Sequence, residues 1–408
     1  MRLLTAGMAW PSVSTMTGRV LLVSPTRHLQ GGAALSIYEL AKALAADGRW
    51  TPVVTVPARG SFSDTLAADA LGCRVIATPR WTSWTEQQYR TGNLARNLLR
   101  RSRSLASVLV RIPAWVRCIA AVRPDVVVTG NAATPVAALG AMLARTPHVW
   151  WLQEFMTRDH SVQFALGEET SQRLIGLLSR RVIAYSPAVA RHFSPPIPAA
   201  KTQVLDFAIA PPAADENRIS NTFRLLLLGH QAPSKGSELA IRALAATASV
   251  PRPTLRLVGS IDDSYRQQLE ELSEQLGVAD AVEFVPFTTD PGRELSRCNA
   301  LLMCSRDEAF GRVTAEALKA GRPVIGSRSG GTPEIVSEGE DGLLFEPGDL
   351  ASLSAAIDQL VGDPELCGRL SLCARERNRD RYTLEGMVDG FVSVFDEVSK
   401  TAHRRSTK

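Results

Sequence analysis

Glu308 and Glu316 stand with seven residues between them in "DEAFGRVTAEALKAGRPVIGSRSGGTPE", residues 307–334, and this is the part of the chain best equipped for chemistry. The preceding "ALLMCS" reads as an apolar strand ending near Ser305, and the spacing of Val313 and Leu318 predicts a helix that begins close to Gly311. Glu308 is then expected in the loop at the C-terminal edge of the strand, and Glu316 in the first turns of the helix. The backbone N–H groups of Phe310, Gly311 and Arg312 fall at the helix N-terminus, where unpaired amides favour a phosphate. Carboxylates beside a phosphate would repel it, so their natural partners are hydroxyl groups such as those of a sugar or a ribose. A plainer reading makes Glu308 a solvated loop residue and Glu316 a helix charge near the dipole. Spacing alone does not choose between the two.

The elements that must position these residues alternate along the whole chain. From Arg19, "RVLLVSP" is an apolar run ending in turn residues, and "GGAALSIYELAKALAADG" follows at helical spacing up to Gly48. The alternation continues through "TPVVTVP", "CRVIATP", "DVVVTG", a helix from Ala132, "HVWWLQ" and "RVIAYS". Each strand is short and apolar on both faces, as a buried parallel sheet requires. Between Ser194 and Asn221 the text turns rich in Pro and Ala, with only "KTQVLDFA" resembling a strand, which marks a linker. A second series opens with "FRLLLLGH" and runs through "TLRLVG", "AVEFVP", "ALLMCS", "RPVIGS" and "DGLLFEP". Helices such as "GSELAIRALAAT" and "SYRQQLEELSEQLG" separate these strands, and "DDS" at Asp262 reads as a helix cap.

Two doubly wound α/β domains in tandem are therefore expected. The boundaries are a loose extension over 1–18, a first Rossmann-like domain over 19–205, a second over 206–380, a helix over 381–400 crossing back to the first domain, and a disordered tail over 401–408. Ligands of such sheets bind at the C-terminal ends of the strands, so the cleft between the domains is the expected site.

A chain of 408 residues with 45% hydrophobic and 21% charged residues can bury cores of this size and lacks the signature of disorder. A net charge of +5 is mild for the length and does not point to nucleic acid. Six cysteines, without CxxC spacing, read as reduced thiols of a cytoplasmic protein rather than a metal site. No apolar run looks long enough to span a bilayer; the best, Ala132 to Ala144, contains Pro135. The N-terminal "MRLLTAGMAWPSVSTM" does not read as a secretory signal, and Met16 is a candidate start.

The E-x7-E stretch "EAFGRVTAE", with "EALKAGRPVIGSRSGGTPEIVSEGEDGLLFEPGD" after it, resembles the retaining glycosyltransferases of family 4, which have the GT-B fold. The resemblance is dense from Leu301 to Asp349. It extends through "LLLLGHQAPSKGSELAIRAL" and into the first domain through "VLLVSPTRHLQGGAALSIYELAKAL". It implies that Glu316 holds the ribose of a nucleotide sugar, that Glu308 contacts the donor sugar, and that Phe310, Gly311 and Arg312 present backbone to the diphosphate. It further implies that Lys235, in "SKG", neutralises the diphosphate, and that Gly31 and Gly32 form a turn closing over the reacting centre. After Gly229, where relatives often have Arg, this chain has His230. Gln153 stands at the position of a common His, followed by Glu154. Retaining transfer with electrostatic help from Lys235, His230 and helix amides, and without a metal or other cofactor, is the implied mechanism. An epimerase or phosphorylase, or a nucleotide-sugar-binding partner without catalysis, are the alternatives.

From Arg90 to Arg123 eight arginines occur with no acidic residue among them, and Leu94, Leu98, Leu105, Leu109 and Ile112 recur at helical spacing. Such a basic amphipathic helix suits an anionic membrane surface and a glycan or lipid-linked acceptor in envelope polysaccharide synthesis, with the protein peripheral on the inner face of the plasma membrane. It suits equally a helix packing its stripe on the first domain. Trp81, Trp84 and Trp115 are candidates for a membrane interface or a sugar-binding face.

Overall fold

The computed structural model describes residues 18–29, 31–85, 94–159, 162–209 and 222–406. The extension before Gly18 and residues 210–221 of the expected linker lie outside them. In the first half the strands are β1 (Gly18–Val23), β2 (Trp50–Val56), β3 (Gly72–Val75), β4 (Thr82–Thr85), β5 (Val126–Thr129), β6 (His148–Leu152), β7 (Val162–Phe164), β8 (Arg181–Ala184) and β9 (Thr202–Val204). Seven of them form a parallel sheet in the order β3-β2-β1-β5-β6-β8-β9, while β4 and β7 pair antiparallel by themselves. In the second half β10 (Arg224–Leu228), β11 (Thr254–Val258), β12 (Val282–Val285), β13 (Ala300–Met303), β14 (Val324–Ser327) and β15 (Gly342–Phe345) form a parallel sheet in the order β12-β11-β10-β13-β14-β15. Both orders reverse beside the first strand, as in doubly wound folds. This is the GT-B architecture that the sequence leads one to expect.

The strands pair this way because both faces of each are apolar. Along β1, Val20 and Leu22 enter the core on one side of the sheet, and Leu21 and Val23 the core on the other. A strand two-sided in this way belongs in the middle of a sheet covered by helices on both faces.

The helix Leu384–Ser406 returns from the second domain to the first. Its apolar face meets Trp50 through Phe395, with ring centroids 5.2 Å apart, and Trp151 through Phe391 at 4.7 Å. Trp50 Nε1 donates to Asp396 at 3.1 Å, and Arg181 pairs with Glu397. Phe391 and Phe395 are both fully buried, and burying such side chains contributes roughly 1.5–3 kcal/mol each. The outgoing and returning chain segments run side by side, joined by Ile209 N–H to Tyr382 C=O at 2.9 Å.

Several expectations need correction. The crossover helix does not stop at 400 before a disordered tail; its backbone is helical through Ser406. Asp262 stands at the N-cap of the helix Asp263–Gln275, but its side chain makes no capping bond. Trp81 and Trp115 are not surface residues: both are buried, and their indole N–H groups donate to Ala132 C=O at 2.8 Å and Ala77 C=O at 3.1 Å. An indole buried with its one polar atom satisfied is a core residue. Trp84 lies where side chains are not described.

Of the segment from Arg90 to Arg123, residues 94–122 form one helix, Leu94–Val122, running through Pro113; Arg90 lies outside the described residues. Contrary to the expectation that no segment is long enough, Ala95–Val122 has the length and composition to cross a membrane, its apolar residues being interrupted by arginines. It lies against the helix Val136–Leu143 and buries Val108, Trp115, Ile119 and Val122. Leu105 and Ile112 pack on that core, whereas Leu98 and Leu109, assigned to the same stripe, are 54% and 61% exposed. All six cysteines are free, and burial pushes the Cys298 and Cys304 thiols up to about 12.

Candidate active site

Lys235 ends a short 3-10 turn, Pro233–Lys235, that follows β10. The next residue, Gly236, has φ 76°, and a Cβ there would lie 2.4 Å from Cys304 C=O at the end of β13. Only glycine lets this turn close on the neighbouring strand. The closure carries Lys235 Nζ to 2.8 Å from Glu308 Oε2 in the loop after β13. Burial alone would lower the Lys235 pKa, but the Glu308 carboxylate outweighs it, helped by Asp159 and Glu154, and the net shift is upward. The ammonium is therefore held charged although partly buried.

The glycine pair that closes the 307–334 stretch has a similar reason. At Gly330, φ 57°, a Cβ would stand 2.3 Å from Glu308 C=O, and Gly331 N–H donates to that same carbonyl at 2.7 Å. The loop after β14 thus lies directly on the loop that carries Glu308 and fixes its backbone.

The helix Arg312–Lys319 begins at Gly311 as the spacing predicts, with Gly311 left-handed at φ 93°. It has no side-chain cap and no acidic residue in its first turn, so its N-terminal amides face the cleft without competition from a protein carboxylate. Glu316 accepts from Arg312 Nε through Oε1 at 2.9 Å, which leaves its Oε2 available. Desolvation raises the Glu316 pKa, and Arg312 only partly opposes it. Arg312 in turn reaches across the cleft and grips both oxygens of Glu39, at 2.8 and 2.7 Å. Glu39 belongs to the helix Gly32–Asp47 of the first domain. A bidentate arginine pair is a geometrically specific link, so the domain interface and Glu316 are joined through one guanidinium.

Phe310 also spans the junction. Its ring is buried against Phe207 at 4.3 Å, Tyr382 at 5.5 Å and Tyr185 at 6.4 Å. Ser186 Oγ donates to Ala309 C=O at 2.5 Å. Glu334, from the "GGTPE" end of the motif, accepts from Ala188 N–H at 3.1 Å and from Arg191 at 2.5 Å in the first domain.

On the first sheet, Gln153 follows β6 and is 4% exposed, and neither its amide oxygen nor its nitrogen has a hydrogen-bond partner among the described residues. Leaving such a group unsatisfied costs about 1–3 kcal/mol. Glu154 beside it acts electrostatically on Lys235 from across the cleft. His230 follows Gly229 at the end of β10, exposed, with Nδ1 2.9 Å from Ser260 Oγ. Gly31, φ 79°, starts the helix Gly32–Asp47, and the space where a side chain would stand at Gly31 or Gly32 is open.

Glu308, Lys235, Phe310, Gly311, Arg312 and Glu316 thus stand together at the C-terminal edge of the second sheet, with Gly229 and His230 on an adjacent strand end. Gly31, Gly32, Gln153 and Glu154 belong to strand ends of the first sheet. Sequence reasoning missed Glu39, Glu334, Tyr185, Phe207 and Tyr382. Glu334 had a signal, its place in the glycine motif; Glu39 looked like any helix carboxylate.

Residues 213–377 match the family model described as glycosyl transferases group 1, and residues 30–206 match glycosyltransferase family 4. The lipopolysaccharide core biosynthesis glycosyltransferase LpsD of Rhizobium meliloti (strain 1021) is 34% identical over 189 residues, 46% of this chain and 54% of the relative. LpsE of the same organism, named for the same process, is 30% identical over 151 residues, 37% of this chain and 44% of the relative. The chain spans about half the length of the curated relatives it matches. The crystal structure of Anabaena HepE in complex with UDP-glucose superposes with a TM-score of 0.75 at 22% identity, covering 93% of this chain and all of HepE. At that identity the likeness shows the fold.

Proposed function

The chain belongs to the group 1 glycosyl transferases, and from that premise we propose that it moves a hexose from a nucleoside diphosphate sugar to a hydroxyl of an envelope glycan or lipid-linked acceptor, with retention. The observation that carries the reading is the Lys235–Glu308 pair, set beside an uncapped helix N-terminus and a half-available Glu316. Glu316 Oε2 takes a ribose hydroxyl. The amides from Phe310 to Arg312 and the Lys235 ammonium hold the diphosphate, and His230 donates a further hydrogen bond. Glu308 and the unpartnered Gln153 amide take hydroxyls of the transferred sugar.

In the proposed step the bond from the anomeric carbon to the diphosphate oxygen breaks, and the acceptor oxygen bonds to the same face of that carbon. The acceptor proton passes to the departing phosphate. Charge builds on the diphosphate as it leaves, and a preorganised ammonium and fixed amides stabilise it without reorganisation. Lys235, rather than a metal ion, supplies the cation.

A panel of UDP, GDP, TDP and ADP sugars is expected to include one that raises the melting temperature, because a ligand bound only by the folded state stabilises it. The absence of a shift from every member would overturn the assignment. The relatives named for lipopolysaccharide core synthesis favour an envelope product.

We propose further that the enzyme works at the cytoplasmic face of an anionic membrane through the helix Leu94–Val122. Leu99, Arg103, Ala106, Val110 and Arg117 are exposed and fall on one stripe at spacings of three, four or seven residues, with Leu98, Leu109, Arg96 and Arg111 exposed beside it. No acidic residue interrupts the segment, which suits anionic headgroups. The protein is expected to pellet with phosphatidylglycerol vesicles, and replacing Arg103, Arg111 and Arg117 by Ala is expected to release most of it. Equal pelleting of wild type and variant would remove the helix from this role.

A further inference from the structure

The loops that follow β1, β2 and β3 open at the C-terminal edge of the first sheet, and each carries exposed cations: Arg27 and His28, then Arg59, then Arg80. The loops are bound to one another. Phe62 N–H donates to Arg27 C=O at 3.1 Å, Leu29 N–H to Ser61 Oγ at 3.1 Å, and Arg80 Nη2 to Pro25 C=O at 3.3 Å. Arg27 Nε donates to His28 Nε2 at 2.9 Å, which orients that guanidinium and leaves its terminal nitrogens for another partner. The loop of Arg80 is also held by the basic helix, through Ser104 Oγ donating to Arg80 C=O at 2.8 Å.

None of Arg27, His28, Arg59 and Arg80 pairs with a carboxylate among the described residues, and residues 24–32, 57–60 and 76–85 contain no Asp or Glu. Several other exposed arginines do find one: Arg49 with Asp47 and Asp389, Arg173 with Glu169, Arg242 with Glu238, Arg266 with Glu270, Arg328 with Glu338 and Glu346. Like charges gathered in three interlocked loops repel unless an anion lies among them.

We infer that this cluster holds a phosphate group of the acceptor, so that the acceptor is a phosphorylated sugar or a phospholipid headgroup rather than a neutral glycan. A carboxylate offers two oxygens, which one guanidinium fork already matches; forks approaching from three loops suit the three oxygens and greater charge of a phosphate. The donor diphosphate does not need these cations, because Lys235 and the helix start at Gly311 serve it from the second sheet. The inference rests on the transferase reading of the cleft in assigning the phosphate to an acceptor.

The test titrates the full chain, saturated with whichever nucleotide raises its melting temperature, by calorimetry. One arm uses glucose 6-phosphate, a second uses monomeric dihexanoyl phosphatidic acid, and glucose is the neutral control. At least one phosphate is expected to bind at millimolar concentration or tighter. Arg27→Ala with Arg59→Ala should weaken it tenfold or more while leaving the nucleotide-induced melting shift intact, which also shows that the variant is folded. Binding of the sugar phosphate points to a soluble acceptor, and binding of the lipid alone to a headgroup. No binding in either arm, or binding that the substitutions leave unchanged, would overturn the inference. If no nucleotide shifts the melting temperature, the transferase reading fails by itself, while the titration of the unliganded chain still reads the cluster.

Discussion

Lys235→Ala is expected to lower turnover of the donor about 100- to 1,000-fold, the range seen when one preorganised charge-stabilising donor is removed. Nucleotide binding should fall much less, because the charge that Lys235 meets grows as the diphosphate departs. The assay is hydrolysis of the nucleotide sugar that the melting panel identifies, which requires no knowledge of the acceptor. Glu308→Ala should likewise keep nucleotide binding and lose turnover. Since Lys235 Nζ and Glu308 Oε2 are 2.8 Å apart, the two residues act as a unit, and the double variant should lose little more than the worse single one. Turnover of Lys235→Ala within threefold of wild type would remove the lysine from the step. Fully additive losses would mean that the pair is not coupled.

The second large effect belongs to Glu316. Glu316→Ala should abolish the nucleotide-induced stabilisation, which at a ligand concentration 100 times Kd amounts to about 2.7 kcal/mol. An undiminished shift would overturn the ribose assignment. The same residue predicts a pH effect in the free protein. Its folded-state pKa lies above the ordinary value because burial penalises the charged form. The folded state therefore holds this proton more tightly than the unfolded chain, and the contribution is fully present below the unfolded pKa. It is lost as pH rises through the folded pKa. Glu316→Gln removes that loss, so relative to wild type the variant should gain stability between pH 4 and pH 7 in denaturant melts. A constant difference across that range would show that Glu316 is not desolvated as the structure places it.

Much of the site was legible because its signals are local. The helix start at Gly311 follows from apolar periodicity, and the placement of Glu308 in the loop before it follows from the end of "ALLMCS". Lys235 was found by the resemblance of "SKG", and its physical reason emerges only in three dimensions: Gly236 permits the approach to Cys304 that carries the lysine to Glu308. The tryptophans show the opposite case. Trp81 and Trp115 sit near a basic segment in sequence and so looked like interface residues. Burial depends on what packs over a residue: Trp81 lies against Trp150 of β6 and Phe164 of β7, and Trp115 is enclosed in the same core.

The helix stripe failed for a related reason. Leu98 and Leu109 share helical spacing with Leu105 and Ile112, yet periodicity states only that a face is apolar, not how wide the covering surface is. Leu105 and Ile112 pack against the first-domain core, whereas Leu98 and Leu109 are left in solvent.

The sequence by itself determined two parallel α/β units, the cleft between them, and the residues gathered at the C-terminal edge of the second sheet. Strand alternation, glycine turns and the spaced glutamates act over a few residues and are written in order along the chain. The tertiary structure decided the pairings across the cleft, Arg312 with Glu39, 273 positions away, and Phe310 among Phe207, Tyr185 and Tyr382, and within the first domain the interlocking of the loops that carry Arg27, Arg59 and Arg80. A charge on a helix or loop has no local sign of the partner it will face. That partner is set by how two sheets, a linker and a returning helix pack, and packing is a property of the whole chain.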